Sequence, residues 1–145
     1  MNVEKISNYF IQAFPAKKKN EQRLSLAVYR TLALGQPVTI EQLHSTTNLP
    51  SKEINHILHS WPGVFFDDNN KVIGFWGISV QEMPHRLKMN DHLSYAWCAW
   101  DTLFIPELLN KTVKIESDCP VTGNHIELNV SLIHAESVFD KPIFL

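Results

Sequence analysis

Apolar residues recur every three to four positions through the first sixty residues, which is the period of amphipathic helices. This pattern predicts a short helix from Glu4 to Phe14 and a stronger one from Glu21 to Leu34. Gly35 follows directly, and glycine readily adopts the left-handed conformation of a helix C-terminal cap. We interpret Lys17–Lys19, between the two helices, as a solvated linker rather than a nucleic-acid site.

Two more helices are predicted before residue 62. Thr39 opens the first of them, and Gln42 three residues later completes a capping box, in which each side chain binds the other residue's backbone N–H. The segment Asn48-Leu49-Pro50 breaks this helix. Ser51 is the predicted cap of the helix that follows.

Two β-prone runs come next, Val64–Asp67 and Lys71–Ser79, and they predict a hairpin. Three helices and a hairpin in this order are typical of a winged helix-turn-helix. The would-be recognition helix, which begins at Ser51, carries one Lys, no Arg and the acidic Glu53. Because phosphate contacts require Lys or Arg, the sequence favours a winged helix that packs against another element over one that binds DNA.

A more apolar segment follows residue 84. We predict a short strand from His85 to Met89 and a turn at Asn90-Asp91, in which Asp91 caps the next helix. That helix is predicted to run from Leu93 to Ile105 and to end or kink at Pro106.

The last predicted elements are strands. Thr112–Ser117 and His125–Ser131 alternate apolar and polar residues around a turn-prone segment, which predicts a β-hairpin. Lys141–Leu145 would form an exposed apolar strand, and because such an edge promotes aggregation we interpret the C-terminus as cut short. The full pattern predicts an α+β protein with two domains. These are a winged helix-turn-helix over residues 1–80 and a small helix-plus-antiparallel-sheet core over residues 81–145.

Composition adds few restrictions. Of the 145 residues, 44% are hydrophobic and 19% are charged, as in ordinary folded proteins. No apolar run is long enough to cross a membrane and the N-terminus lacks a secretion signal, so we expect a cytoplasmic protein without a membrane partner. A net charge of −2 disfavours nucleic acid as a general partner. Cys98 and Cys119 are interpreted as free thiols, since a reducing compartment disfavours a disulfide.

Cys98 and Asp101 carry the most informative chemistry. Three residues apart on the predicted helix, they would share a face and the same small space. A cysteine there is most often a packing residue, and the Asp could simply bind backbone. A buried carboxylate is nevertheless costly unless it is paired, so a functional site is an equal alternative.

The negative charge of a carboxylate beside a thiol limits the reactions that such a site could catalyse. A carboxylate disfavours a neighbouring thiolate, which is the opposite of what Cys–His catalysis requires. A proton shared by the pair suits a soft electrophile instead. Sulfur would capture the electrophile, and the carboxyl group would keep the proton and donate it to a leaving carbon.

The segment Tyr95–Pro106 (YAWCAWDTLFIP), followed by the turn Cys119–Gly123, resembles the core of the organomercurial (alkylmercury) lyase family. The three helices and wing ahead of it are similar to that family's N-terminal domain. The resemblance implies an alkylmercury lyase, which cleaves organomercurials to Hg(II) and a hydrocarbon. It implies that Cys98 is the mercury-binding thiolate and that Asp101 is the proton shuttle and a further mercury ligand.

The resemblance also implies no organic cofactor, a need for external thiols, and a mercuric reductase as acceptor of Hg(II). Cys119 matches a cysteine regarded as structural in the family. The family's second catalytic cysteine would lie downstream of Leu145, and a chain without it is expected to be a fragment or a form with weakened activity. The alternative hypothesis is a non-enzymatic winged-helix regulator that binds DNA or mercury.

The histidines add no predicted site. His56 and His59 have the spacing of metal ligands on a helix, but no neighbouring Cys or Asp completes a set, so we predict exposed polar residues. His125 and His134 are too far apart in sequence to pair by a local rule.

Overall fold

The computed structural model describes residues 3–131, in which four helices precede most of a sheet and a fifth lies between two of its later strands. The helices are α1 (Val3–Ala13), α2 (Lys19–Leu32), α3 (Ile40–Thr47), α4 (Ser51–Ser60) and α5 (Asp101–Leu109). The strands are β1 (Val64–Phe66), β2 (Val72–Phe75), β3 (Ile78–Ser79), β4 (His85–Met89), β5 (His92–Ala96), β6 (Val113–Asp118) and β7 (His125–Val130). The predicted strand at residues 141–145 lies outside the described range.

Local signals set the helix boundaries largely as predicted. The capping box of α3 is present: the Thr39 hydroxyl accepts the Gln42 N–H at 3.1 Å, and the Gln42 side chain accepts the Thr39 N–H at 2.8 Å. Gly35 has a φ of +80°, as expected just beyond α2. Pro50 precedes α4 without a side-chain cap, so Ser51 is its first helical residue and the predicted Ser51 cap is wrong.

The sheet has the strand order β1-β2-β3-β5-β4-β6-β7, and every neighbouring pair is antiparallel. The run Lys71–Ser79, predicted as one strand, is two. Trp76 and Gly77 have φ values of +34° and +98°, and they reverse the chain between the paired residues Phe75 and Ile78. We refer to these two residues as the Trp76–Gly77 turn. Positive φ at both positions matches the twist of a two-residue hairpin.

The predicted long helix from Leu93 to Ile105 is wrong. Its first part is β5, a central strand paired with β3 on one side and β4 on the other. Ser94 and Ala96 alternate with more exposed neighbours and are fully buried, so sheet pairing overrides the short helical pattern. Asp91 belongs to the β4–β5 turn and caps no helix. Helix α5 starts only at Asp101 and continues through Pro106 to Leu109.

The core lies between α2 and the sheet and joins both parts of the chain. Phe75 is fully buried, and the centroid of its ring lies 5.0 Å from that of Tyr29 in α2, 5.6 Å from that of Trp61 and 5.9 Å from that of Phe14. This packing places Tyr29 and the Trp76–Gly77 turn beside the start of α5. The α+β class is confirmed as helices with an antiparallel sheet. Because β3 pairs with β5, one sheet contains strands from both sides of the predicted domain boundary at residue 80. The division into two domains stays a prediction.

Within residues 3–131, every helix is too short or too polar to span a lipid bilayer.

Candidate active site

Cys98 and Asp101 lie together, although by a different geometry from the one predicted. Cys98 stands in the turn between β5 and α5, and Asp101 is the first residue of α5. Oδ2 of Asp101 accepts the backbone N–H of Cys98 at 2.9 Å, and the Asp101 N–H donates to the Cys98 carbonyl at 3.1 Å. These reciprocal contacts have the three-residue spacing of a capping box, in which a side chain reaches back to satisfy a free N–H at a helix start.

The two groups differ in their access to solvent. Cys98 is exposed, so its sulfur is open to a ligand, whereas Asp101 is only 9% exposed. Both line one cavity. An accessible thiol can capture a ligand at its sulfur, and a largely desolvated carboxyl group beside it can accept a proton and later donate it.

Gly77 explains how the Asp101 carboxyl fits into the wall. A Cβ atom on Gly77 would lie 2.5 Å from Oδ1 and 2.6 Å from Cγ of Asp101, closer than van der Waals contact permits. The Gly77 carbonyl also accepts the Trp97 N–H at 2.9 Å. Gly77 and Asp101 therefore hold the successive N–H groups of Trp97 and Cys98, which fixes the backbone that presents the thiol.

Tyr29 forms the floor beside this pair. Its side chain is 2% exposed, and its hydroxyl donates to the Trp76 carbonyl at 2.8 Å. Burial, and to a smaller extent the negative charge of Asp101, raises the pKa of Tyr29 far above its ordinary value. The phenol is therefore a neutral donor throughout the physiological pH range.

The cavity has a volume of about 1130 Å³ and lies between α2, α5 and the end of α1. Its walls are mainly apolar, and the aromatic residues among them surround the thiol–carboxyl pair: Phe14, Tyr29, Trp76, Trp97, Trp100 and Phe104. Trp100, immediately before Asp101, is 63% exposed at the mouth. Such a cavity suits an apolar ligand that carries a reactive centre at one end.

Cys119 lies elsewhere, in the β6–β7 turn, and does not line this cavity. Its backbone N–H donates to the Asn124 carbonyl at 2.8 Å and its carbonyl accepts the Gly123 N–H at 2.8 Å. Hydrogen bonds from the Thr122 hydroxyl and from the backbone N–H groups of Thr122 and Val121 lower the pKa of the Cys119 thiol. Both cysteines are free thiols, as predicted.

A cluster that the sequence reasoning missed lies on β6 and β7, where Glu116, His125 and Glu127 approach within ligand spacing. Its carboxylates already have cations as partners. Glu116 contacts Lys88 at 2.6 Å and Lys114 at 3.1 Å, and Glu127 contacts Lys114 at 3.3 Å. The cluster is therefore an ion-pair network that joins neighbouring strands. Only the cross-strand register, which no local rule supplies, brings these residues together.

The other sequence features have structural partners. His59 Nε2 donates to Asn70 Oδ1 at 2.8 Å, and the His59 ring stacks on Phe66. Both His56 and His59 are exposed, as predicted. Lys17 donates through Nζ to the carbonyls of Ile11 and Gln12 at 2.7 Å, so it caps the end of α1.

Tyr29 and Gly77 are the site neighbours that sequence reasoning missed. A glycine inside a β-prone run signals a bulge or a close backbone approach, so Gly77 could have been noticed from the sequence. Tyr29 stands on the buried face of α2 and looks like an ordinary core residue. No sequence pattern links it to Asp101.

The fold and site together define an α+β protein in which an exposed thiol and a buried carboxyl group share an aromatic cavity. Residues 78–139 match the family described as MerB, alkylmercury lyase. With the similarity to curated members described below, this places the chain in the alkylmercury lyase family.

Curated relatives extend the similarity beyond that match. An alkylmercury lyase of Bacillus cereus is 42% identical over 107 residues, which are 74% of this chain and 49% of the relative. One from Staphylococcus epidermidis is 33% identical over 130 residues, covering 89% of this chain and 60% of the relative. This chain thus spans about half to three-fifths of the length of these relatives.

A solved structure, described as the mercury-bound form of MerB2, superimposes with a TM-score of 0.63 and 26% sequence identity. The similarity covers 79% of this chain and 56% of that one. It extends over helical and sheet elements alike.

Proposed function

We propose that this chain binds organomercurials and cleaves their carbon–mercury bond by protonolysis, releasing Hg(II) and a hydrocarbon. One observation carries the proposal: the exposed Cys98 and the buried Asp101 carboxyl line the same aromatic cavity, and a 2.9 Å hydrogen bond from the Cys98 backbone N–H to Asp101 Oδ2 holds the two residues together. Curated relatives named alkylmercury lyase and a mercury-bound structural relative support it.

The first step is capture of mercury by Cys98. Mercury is a soft metal and prefers thiolate ligands. The sulfur forms a bond to the mercury of an organomercury–thiolate adduct, and the outgoing external thiolate leaves. The thiol proton passes to the Asp101 carboxylate, so charge is conserved and no anion is left beside the new sulfur–mercury bond.

The second step breaks the carbon–mercury bond. Protonated Asp101 donates its proton to the carbon attached to mercury, and the electron pair of the carbon–mercury bond becomes the new carbon–hydrogen bond. Mercury remains Hg(II), bound to the Cys98 sulfur, with the regenerated Asp101 carboxylate available as a second ligand. No electron transfer occurs.

The surrounding residues favour both steps. The apolar wall excludes water, which strengthens interactions at the carboxyl group, and it provides space for the organic substituent. The proposed reaction needs no organic cofactor, because thiol and carboxyl supply the nucleophile and the proton. Excess external thiol removes the Hg(II) product, and a mercuric reductase is its proposed acceptor.

The decisive experiment measures hydrocarbon and bound mercury from the same sample. Before external thiol is added, we expect the purified chain to bind one mercury per chain from phenylmercury. After excess thiol is added to the same sample, we expect it to release benzene. Cys98→Ser should lose both properties. Cys119→Ser is the matched control and should keep both, because Cys119 does not line the cavity.

The outcomes separate the two hypotheses. Benzene release that depends on Cys98 supports the lyase. Mercury binding without benzene release would make the chain a mercury-binding protein and refute the catalytic proposal.

We also propose that residues 1–80 form a winged-helix-like unit that packs against the core rather than binding DNA. Helices α3 and α4, joined through Asn48–Pro50 and followed by the β1–β2 hairpin, support this arrangement. The single Lys of α4 argues against phosphate contacts. We expect no binding to duplex DNA at low salt, and a steep salt-dependent affinity would contradict the proposal.

A further inference from the structure

Three hydrogen bonds from different parts of the fold fix the backbone of the Trp76–Gly77 turn, and the Trp76 indole N–H donates to the Pro62 carbonyl at 2.8 Å. The Trp76 N–H donates to the Gly63 carbonyl at 3.2 Å, and the Trp76 carbonyl accepts the Tyr29 hydroxyl at 2.8 Å. The Gly77 carbonyl accepts the Trp97 N–H at 2.9 Å. Trp76 nevertheless holds a φ of +34°, which is unfavourable for a residue with a side chain. Such a conformation persists only where its surroundings impose it.

The position of this turn determines where the Asp101 carboxyl can lie. Gly77 presents its Cα face to the carboxyl so closely that a methyl group there would overlap Oδ1 and Cγ. A small rotation of the turn would therefore push the carboxyl away or leave a gap behind it. In either case the 2.9 Å hydrogen bond between Asp101 Oδ2 and the Cys98 N–H would change.

Among the three hydrogen bonds to the backbone of the turn, the one from Tyr29 alone comes from a side chain. Its phenol is buried, and its proton is committed to the Trp76 carbonyl. The hydroxyl also lies close enough to Asp101 to feel its charge. Tyr29 thus connects α2 to the turn that supports the carboxyl through a side-chain hydrogen bond.

We propose that Tyr29 is a positioning residue for Asp101: its hydroxyl holds the Trp76–Gly77 turn in the left-handed conformation against which the carboxyl packs. Tyr29 touches neither the sulfur nor the proton in transit and acts through the turn. The consequence for catalysis rests on the proposed lyase function, whereas the consequence for the Cys98–Asp101 hydrogen bond does not.

Tyr29→Phe tests the proposal, because it removes the hydroxyl and keeps the ring that packs on Phe75. We expect the amide proton resonance of Cys98 to move upfield, as a hydrogen bond to a carboxylate weakens. We also expect single-turnover benzene release from phenylmercury to slow between about tenfold and a hundredfold, the scale of a misplacement near 1 Å. Stoichiometric mercury capture by Cys98 should be unchanged.

Thr47→Val is the matched control. It also deletes a buried hydroxyl, which donates to the Leu43 carbonyl at 2.7 Å on α3, outside the cavity. It should lower the melting temperature and leave the Cys98 resonance and the cleavage rate of folded protein at wild-type values. Tyr9→Phe, on an exposed side chain, should change none of these.

The proposal is overturned if Tyr29→Phe leaves the Cys98 amide resonance where it is in the wild type. It is equally overturned if the rate falls only in proportion to the folded fraction, as for Thr47→Val. Failure of the lyase function is a distinct result: wild-type protein would release no benzene, while the Cys98 resonance would still report whether Tyr29 positions Asp101.

Discussion

The backbone N–H of Cys98 and the carboxylate of Asp101 form a 2.9 Å hydrogen bond that joins an exposed cysteine to a buried acid at the start of α5. The same bond satisfies the backbone N–H of Cys98 in the turn that leads into α5. The Asp101 carboxyl therefore both supports the local backbone and supplies the proton in the proposed reaction. A useful substitution removes one of these two roles and keeps the other.

Asp101→Asn separates them. The amide oxygen can still accept the Cys98 N–H, so α5 should keep its start, but an amide has no proton to donate to carbon. We expect benzene release to fall by about 10²–10⁴-fold with mercury capture retained. Gas chromatography of the headspace and mass spectrometry of the protein measure the two properties. Asp118→Asn, an exposed Asp in the β6–β7 hairpin, should leave both unchanged, and equal losses in the two variants would count against a catalytic role.

Gly77→Ala should displace the Asp101 carboxyl. The new Cβ would lie 2.5 Å from Oδ1, and alanine at a φ of +98° adds backbone strain of about 1–3 kcal/mol. We expect lower stability together with loss of cleavage. Gly123→Ala isolates the strain, because Gly123 has a φ of +71° with nothing within 4 Å of its Cβ position. Urea denaturation should show that Gly123→Ala loses stability, and turnover assays should show that it keeps its activity. Retained turnover in Gly77→Ala would disprove the contact between Gly77 and the Asp101 carboxyl.

Phe75→Ala should destabilise the fold severely. This fully buried ring contacts aromatic residues from three different segments, so its loss leaves a cavity that the core cannot close. We expect a cost of about 3–5 kcal/mol in the free energy of unfolding. Phe65→Ala, on the neighbouring strand with 53% exposure, is the comparison and should cost much less. Similar values for both would show that Phe75 is not central to the core.

The β6–β7 hairpin should lose stability as pH rises above the ordinary pKa of a histidine. Hydrogen bonds to Asp118 and then Glu127 raise the pKa of His125 above its value in the unfolded chain. Its stabilisation is therefore complete below the unfolded pKa, about 6.5, and is lost as pH rises through the higher folded pKa. Amide exchange in β7 should show this loss in wild type and not in His125→Gln. High salt should reduce it, since the groups are exposed.

Acid should act on the same hairpin at much lower pH. Hydrogen bonds from Lys88 and then Lys114 lower the pKa of Glu116 to about 2. The stabilisation that these ion pairs give to the folded hairpin is complete above the ordinary pKa of a Glu, and it disappears as pH falls through about 2. Glu116→Gln should remove that acid transition in β7 amide exchange while leaving the transition at higher pH that belongs to His125.

Local sequence signals were sufficient for most of the helices and for the last hairpin. The Thr39–Gln42 capping box, the Gly35 cap and the alternation in β6 and β7 act over a few neighbouring residues, so the sequence shows them directly. The site residues Cys98 and Asp101 also stood out, because a carboxylate in an apolar segment is costly without a partner.

Tertiary structure decided how these two residues meet. A short apolar run such as residues 93–96 satisfies helix and strand patterns equally, and only its pairing with β3 and β4 makes it a strand. The same pairing brings the Trp76–Gly77 turn to the Asp101 carboxyl, and the packing of α2 on Phe75 brings Tyr29 there. The sequence by itself determined which groups could react, since side-chain chemistry is local. Their positions and supports were decided by contacts between distant segments, whose energies no local pattern contains.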